Sequence, residues 1–118
     1  SLKKLVCSRE KFKKYIAQYP ECNCNHLFFT DMGNNTIAVR CLMEDFLEDP
    51  ATGSANGNLA GYFMKHNYFN SDEANYTVIQ GEDMGRKSVL NIHAQKKEGQ
   101  YTIEVGGSAY LVACGQWE

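Results

Sequence analysis

The stretch EDPATGSANG, from Glu48 to Gly57, decides how the chain on either side of it is interpreted. Pro50 disfavours the helical region for the residue before it, so Asp49 is predicted to be extended. The small residues after the proline indicate a glycine-rich turn, and a helix is predicted from there to about His66. The stretch therefore joins the end of a strand to the start of a helix.

A helix start of this kind has the chemistry of an anion site. Its first backbone N–H groups have no partner within the helix, so a carboxylate or phosphate is expected over the amides of Gly53, Ser54 and Ala55. Gly53 would let a ligand approach the main chain closely. Thr52 and Ser54 can cap the helix or donate hydroxyl groups to a ligand. Asp49 would border the site, where it can orient a ligand or take part in proton transfer.

The same stretch allows other interpretations. An ordinary capped helix after a loop explains these residues too, because glycine-rich helix starts are common, and the residues alone leave both interpretations open. The stretch lacks the GK[ST] ending of a Walker loop and the GxGxxG spacing, and the carboxylates before it lack EF-hand spacing. Glycines 53, 57 and 61 have the spacing of a membrane dimerisation face, but no apolar run of about 20 residues contains them.

The helix after the turn is unusual in its small residues, which predict a central position in the fold. They lower its helix propensity but would allow a neighbouring backbone to approach closely. The small residues are Ala55, Gly57, Ala60 and Gly61, and the larger ones that mark one side are Leu59, Tyr62, Phe63 and His66.

Further from the stretch, alternation and turn signals predict an α+β domain of local antiparallel pairings around one internal helix. An earlier helix is predicted between a cap at Ser8 and a stop at Pro20. Turns are predicted at 32–35 and 96–99. Strands are predicted over residues 26–31, 36–43, 76–80, 88–95, 100–105 and 109–114. No repeat or linker divides residues 1–118, which are predicted to form a single domain.

Composition excludes several classes of protein. The chain has 118 residues, 43% apolar and 12% aromatic, which is typical of one globular domain. A net charge of −2 argues against nucleic-acid binding by bulk charge. No apolar run is long enough for a membrane helix, and no signal-peptide pattern opens the chain. We therefore expect a cytoplasmic protein with neither a nucleic-acid nor a membrane partner.

Cysteine and histidine placement does not indicate a metal site. Five scattered cysteines are not a disulfide framework, so reduced thiols are expected. Cys22, Cys24 and His26 would share one side of an extended segment, but CxC spacing without a second pair is not typical of zinc sites. We interpret this segment as the approach to a strand. His66 and His93 have no partner at ligand spacing and are interpreted as surface or packing residues.

Residues 48–57 resemble the signature of the PhzF-like (phenazine biosynthesis) family. Weaker pieces occur in the right order on both sides, so the resemblance covers residues 36–118. These pieces are Val39-Arg40, Gln80-Gly81, Gly85-Arg86 with Ser88, and Val105 to Gly107. Arg86 is interpreted as a structural tether for its loop.

The resemblance implies a fold and an activity. The family shares the diaminopimelate-epimerase fold, in which each of two lobes wraps a mostly antiparallel, barrel-like sheet around a central helix, with the active site between the lobes. This chain resembles the C-terminal lobe, so the N-terminal lobe would be missing. The implied activity is isomerisation or epimerisation of a small amino or cyclic carboxylic acid by proton transfer, without metal or cofactor.

The resemblance also implies roles for residues. Asp49 matches the aspartate of the signature that lines the cleft, and Gly53 and Ser54 match residues that hold the substrate carboxylate or form hydrogen bonds within the site. The principal acid/base glutamate of the family lies in the other lobe, so this chain alone would be inactive. No cysteine stands at the position where true epimerases have one, which disfavours a two-cysteine mechanism. Family members are often homodimers. The alternative is a non-catalytic single lobe that binds or self-associates through its exposed inner surface.

Overall fold

A computed structural model describes residues 2–22 and 25–117, and it confirms the α+β class. Within these residues, two helices and six strands follow one another, with short 3-10 turns between some of them. They are α1 (Arg9–Ile16), β1 (His26–Gly33), β2 (Thr36–Leu42), β3 (Glu48–Asp49), α2 (Gly53–Lys65), β4 (Glu73–Gln80), β5 (Ser88–Lys97) and β6 (Gln100–Gly106). Cys24 and the side chain of Cys22 lie outside the described residues. The predicted placement of Cys22, Cys24 and His26 on one side of an extended segment therefore also lies outside them.

The strands form one six-stranded sheet in the order β1-β2-β4-β5-β6, with β3 also paired to β2. All pairings are antiparallel except β2 with β4. Along one edge of β2, Thr36–Val39 pair with β4 and Cys41–Leu42 pair with β3. Because β3 and β4 share that edge, the end of β4 at Gln80 lies beside Asp49. Among the described residues the sheet is open, with β1 and β6 at its edges.

Both predicted hairpin turns are confirmed. Asn34 and Asn35 have φ angles of 51° and 52° between β1 and β2, in the left-handed region that asparagine tolerates. Glu98 and Gly99 have φ angles of 52° and 78° between β5 and β6. The pairing of each hairpin then follows from its turn.

The core lies between α2 and one face of the sheet. Phe63 of α2 is 1% exposed; its ring stacks on Tyr68 at 4.5 Å between centroids and meets Phe29 edge-on at 5.1 Å. Burying such a side chain stabilises the fold by roughly 1.5–3 kcal/mol. The buried cluster contains Ile37, Val39, Leu59, Ala60, Phe63, Met64, Ala74, Tyr76, Val78, Leu90, Ile92 and Ala94. Tyr62 is 53% exposed, so α2 covers the sheet on one side and faces solvent on the other.

The small residues of α2 do not serve the predicted close approach of a backbone. A Cβ atom on Gly57 would meet a side-chain methyl of Val105 at 3.7 Å, and one on Gly61 would meet Ile103 at 3.5 Å. These are ordinary van der Waals distances to side chains of β6. The expectation of a backbone neighbour was wrong because the side chains of β6 occupy the space above the glycines.

The first helix is confirmed at its start and shorter than predicted at its end. The Ser8 hydroxyl oxygen accepts a hydrogen bond from the Lys11 amide at 3.4 Å. The helix ends at Ile16, and Pro20 begins a separate 3-10 turn. Phe12 is buried, with its ring edge-on to His26 and Phe46. The helix therefore covers the start of β1.

The predicted strand at 109–114 is wrong. Residues 107–117 form no strand in the described structure. A strand requires a neighbour for its backbone hydrogen bonds, and none of the described strands pairs with this segment. Four large side chains of the segment are at least 86% exposed: Tyr110, Leu111, Val112 and Trp117. None of the described helices is long and apolar enough to cross a membrane.

His93, interpreted from the sequence as an ordinary residue, bridges two strands. On β5, its Nε2 lies 3.1 Å from Glu73 of β4 and its Nδ1 lies 3.2 Å from Glu104 of β6. Hydrogen bonds to Glu104 and Glu73 raise the pKa of His93 above its ordinary value.

Gly61→Ala is expected to increase the free energy of unfolding by about 0.5–1 kcal/mol, because alanine favours the helix and its methyl group has room. Gly99→Ala is the matched control, since Gly99 has a φ of 78° and alanine there is strained. Urea unfolding of both variants measures the difference. A loss of stability in Gly61→Ala would contradict the packing described above.

Protonated His93 is expected to stabilise the sheet at low pH. Because its pKa is raised in the folded state, this contribution is complete below the ordinary pKa near 6.5 and is lost as pH rises through the folded-state pKa. The stability difference between the protein and His93→Gln should therefore shrink as pH rises from about 5 to about 9. Urea midpoints across that range measure it, and a difference that grows with pH would contradict the bridge.

Candidate functional site

The candidate site is organised by one buried side chain at the end of β4. Gln80 is 0% exposed, and its amide makes four hydrogen bonds. Its Nε2 donates to the carbonyl oxygen of Asp49 at 2.7 Å and to Oγ1 of Thr52 at 2.9 Å. Its Oε1 accepts from the Thr52 amide at 3.3 Å and from Asn56 Nδ2 at 2.8 Å. Gln80 thus connects the strand before the turn to the helix after it.

The residues bound by Gln80 are also bound to one another. The Thr52 hydroxyl donates to Oδ2 of Asp49. Asn56, in the first turn of α2, donates from Nδ2 to the carbonyl oxygen of Thr52 at 2.8 Å. Asn56 is 0% exposed, and its Oδ1 has no partner among the described residues. The network fixes the strand end, the turn and the helix start relative to one another.

Gly81 adds a steric constraint to this network. Its φ is 74°, and a Cβ atom there would overlap the carbonyl oxygen of Arg86 and lie 2.9 Å from Cα of Pro50. The Arg86 amide donates to the carbonyl oxygen of Gly81 at 2.9 Å. The loop after β4 is therefore tethered by the backbone of Arg86, whereas the Arg86 side chain is exposed.

The predicted strand-turn-helix is confirmed. Asp49 lies in β3, Thr52 is the extended N-cap residue with φ −108° and ψ 97°, and α2 begins at Gly53. The Thr52 side chain does not cap the helix, because its hydroxyl is bound to Asp49 and Gln80. No side chain among the described residues therefore caps the first amides of α2.

A cavity of about 590 Å³ lies against this helix start. Gly53 is exposed at its wall, and a Cβ atom there would meet no atom within 4 Å. Its lining comes from the turn, the start of β5 and the chain after β6: Ala51, Gly53, Lys87, Ser88, Val89, Leu90, Val105, Gly106, Gly107, Ser108 and Tyr110. The Lys87 ammonium brings a positive charge, balanced in part by Glu82 at 3.6 Å.

The site residues predicted from the sequence differ in their exposure to solvent. Gly53 and Ser54 are exposed at the helix start, and Asp49 is half-buried. Thr52 and Ala55 are each 6% exposed, with Thr52 inside the polar network and Ala55 on the buried side of α2. Lys87, Ser108 and Tyr110 were not singled out from the sequence, because only the folded sheet brings their segments to the turn.

An ion pair flanks the network on the other face of the sheet. The Arg40 guanidinium donates to both carboxylate oxygens of Glu48, at 2.9 and 2.8 Å, and also to the carbonyl oxygen of Leu5 at 2.9 Å. The hydrogen bond that Arg40 donates to Glu48 raises the pKa of Arg40. Because Glu48 is bound in this way, it holds the start of β3 in place and is not a free base.

Cys41 lies on β2 directly opposite Asp49. Burial raises the pKa of the Cys41 thiol, and a smaller opposing effect comes from the Thr52 hydroxyl beside it. A buried thiol of raised pKa stays protonated near neutral pH and is therefore a poor nucleophile.

Comparisons with known proteins found a matching family and several similar proteins. The model of a family described as "Phenazine biosynthesis-like protein" matches residues 22–115. An uncharacterized isomerase of Clostridium acetobutylicum is 32% identical over 104 residues, which cover 82% of this chain and 34% of that protein. The uncharacterized isomerase YfhB of Bacillus subtilis is 25% identical over 111 residues, covering 91% of this chain and 37% of YfhB.

A third relative has higher identity over a shorter stretch. It is an uncharacterized isomerase of Pasteurella multocida, 36% identical over 70 residues, which cover 59% of this chain and 22% of that protein. The chain thus spans between 22% and 37% of the length of these curated relatives.

Gly81→Ala is expected to destabilise the protein by at least about 3 kcal/mol, because its methyl group would overlap backbone of the site turn and of the loop after β4. Gly85→Ala is the matched control: Gly85 has a similar φ of 71°, but a Cβ atom there meets nothing within 4 Å. That variant should cost only about 1 kcal/mol, the strain of alanine in the left-handed region. Thermal and urea unfolding compare the two, and equal losses would disprove the steric role of Gly81.

Proposed function

This chain belongs to the phenazine biosynthesis-like protein family, and on that premise we propose that it is the C-terminal lobe of an isomerase or epimerase. The substrate is a small amino or cyclic carboxylic acid, and the reaction is proton transfer without metal or cofactor. One observation carries the proposal: the Asp49 carboxylate is held beside the open start of α2 by a buried polar network. The isomerase names of the relatives support the same class of reaction.

The helix start is the binding half of the proposed site. The amides of Gly53, Ser54 and Ala55 would hold the substrate carboxylate, because N–H groups and the helix dipole favour an anion there. The open space at Gly53 leaves room for the carboxylate to approach. The Lys87 ammonium, on the wall of the same cavity, would add a second attraction for an anionic substrate.

Asp49 is the reactive group that this chain contributes. A carboxylate beside the helix start can accept a proton from carbon or return one, and the proton it holds can exchange with solvent before a proton is delivered at a second position of the substrate. Isomerisation needs a partner acid or base on the opposite side, and we assign that part to a glutamate of the N-terminal lobe. The isolated chain would then bind one side of the substrate and be inactive.

The finer details of the fold belong to the same proposal. In the diaminopimelate-epimerase-like arrangement, the open sheet would curve around α2 as a barrel, and a second lobe would face the helix start. The assembled protein would be a cytoplasmic homodimer.

A non-catalytic role is the second candidate, favoured by one observation. Tyr110, Leu111, Val112 and Trp117 project from the end of the chain with almost no cover. An exposed apolar segment of this kind is typical of an association surface. A binding or self-associating module would form concentration-dependent oligomers in analytical ultracentrifugation and would catalyse no proton exchange.

The reaction itself can be detected without a known substrate. The native protein, purified from its own cells and weighed by intact mass spectrometry, is incubated in D₂O with a panel of amino acids and cyclic amino carboxylic acids. We expect a mass well above 13.3 kDa and incorporation of deuterium at carbon in at least one acid. Asp49→Asn should slow this exchange by about 10²-fold or more.

The matched control is Glu98→Gln, which also replaces a carboxylate by an amide but lies in the exposed turn between β5 and β6. It should leave the rate of deuterium exchange at carbon unchanged. Retention of full exchange by Asp49→Asn would contradict the assignment of Asp49. Failure of the native protein to label any acid in the panel would contradict the enzymatic proposal and favour the second candidate.

A further inference from the structure

We infer that Thr52 is a positioning residue. Its hydroxyl accepts a hydrogen bond from Gln80 and donates one to Oδ2 of Asp49, which leaves Oδ1 as the oxygen of Asp49 that exchanges a proton with substrate. This inference rests on the proposed function. It replaces the ligand-binding role expected for Thr52 from the sequence. It also gives Gln80 a role in the site, which is to orient the Thr52 hydroxyl.

The orientation of the Gln80 amide is determined by its neighbours. Its Nε2 lies 2.7 Å from the carbonyl oxygen of Asp49, a group that can only accept. Its Oε1 lies 2.8 Å from Nδ2 of Asn56 and 3.3 Å from the Thr52 amide. Turning the amide over would place oxygen against oxygen and nitrogen against two donors, so only one orientation is consistent with all four contacts.

This orientation in turn fixes the Thr52 hydroxyl. The second hydrogen of Gln80 Nε2 points at Thr52 Oγ1 over 2.9 Å, so Oγ1 accepts there. A hydroxyl has one hydrogen, and the acceptor that remains in contact is Oδ2 of Asp49. The thiol of Cys41 lies beside the same hydroxyl, but its raised pKa keeps it protonated, so it does not compete as a thiolate acceptor.

This arrangement determines which oxygen of the Asp49 carboxylate can take a proton from substrate. Oδ2 already receives the Thr52 hydrogen, and none of the described residues donates to Oδ1. A proton taken from substrate therefore binds at Oδ1, while the bond at Oδ2 prevents rotation of the carboxylate. Thr52 is 6% exposed and Gln80 is 0% exposed, so water cannot easily replace either link. Fixed geometry of this kind accelerates proton transfer because the base does not need to be reoriented.

The decisive comparison is between two substitutions of Thr52. Thr52→Val keeps the shape of the side chain and removes the hydroxyl, whereas Thr52→Ser keeps the hydroxyl. In the native full-length protein, with whichever acid the D₂O assay identifies, Thr52→Val should lower kcat by roughly 10-fold or more, with KM within about 2-fold. Thr52→Ser should restore most of kcat. A rise in KM at unchanged kcat would overturn the inference, because it indicates a ligand-binding hydroxyl.

The matched control for loss of a threonine hydroxyl is Thr102→Val, at an exposed position of β6. It should leave kcat and KM unchanged. Circular dichroism of each variant establishes that it is folded before its kinetics are compared.

A second measurement needs neither a variant nor a substrate. In ¹⁵N-labelled protein, the side-chain amide hydrogens of Gln80 should exchange with water at least about 10-fold more slowly than those of Gln95 and Gln100, which are exposed. Equal exchange rates would overturn the link even if no substrate is ever found. If Gln80 is protected and no acid is labelled, the link stands and the proposed function fails, so the two failures are distinguishable.

Discussion

The site depends on the side-chain amide of Gln80, because it forms hydrogen bonds with residues on both sides of a turn that has few other internal hydrogen bonds. The turn between β3 and α2 contains a proline, which lacks an N–H group, and small residues that bury little apolar surface. Its order must therefore come from hydrogen bonds to a neighbouring element. Gln80 supplies them to Asp49, Thr52 and Asn56 together, from a position with no exposure to water. Buried polar groups of this kind are costly when unpaired, so the network favours one arrangement of the turn.

The sheet brings Gln80 to that position. β2 pairs with β4 along its first half and with β3 along its second half, on the same edge. The end of β4 and the short β3 are consequently neighbours, although α2 separates them along the chain. Gly81 completes the approach, because a side chain at that position would overlap Pro50. A packed helix, a shared strand edge and one glycine thus place a carboxylate beside a free helix start, which is the arrangement that the proposed proton transfer requires.

Much of this local structure could be predicted from the sequence, since it depends on neighbours in the chain. Pro50 restricts Asp49, the glycine-rich turn precedes a helix, and that helix ends at Lys65, one residue from the predicted end. The predictions that failed involve distant partners. The strand expected at 109–114 alternates well but finds no neighbour among the described residues. The glycines of α2 suggested a backbone contact, whereas side chains of β6 fill the space. Alternation and residue size indicate which secondary structure a segment can form, whereas packing in the folded protein decides which residues contact it.

The sequence by itself determined the α+β class, the strand-turn-helix at residues 48–57, and the family resemblance, because each follows from residue types at short separations. Only the tertiary structure decided the roles of individual side chains within that stretch. From the sequence, Thr52 was suited to cap the helix or to contact a ligand, whereas in the structure its hydroxyl is bound to Asp49 and to Gln80, 28 residues away. A hydroxyl has a single hydrogen, and which acceptor receives it depends on every polar atom around it. Those atoms are brought together by strand pairing over long separations, which no local pattern encodes.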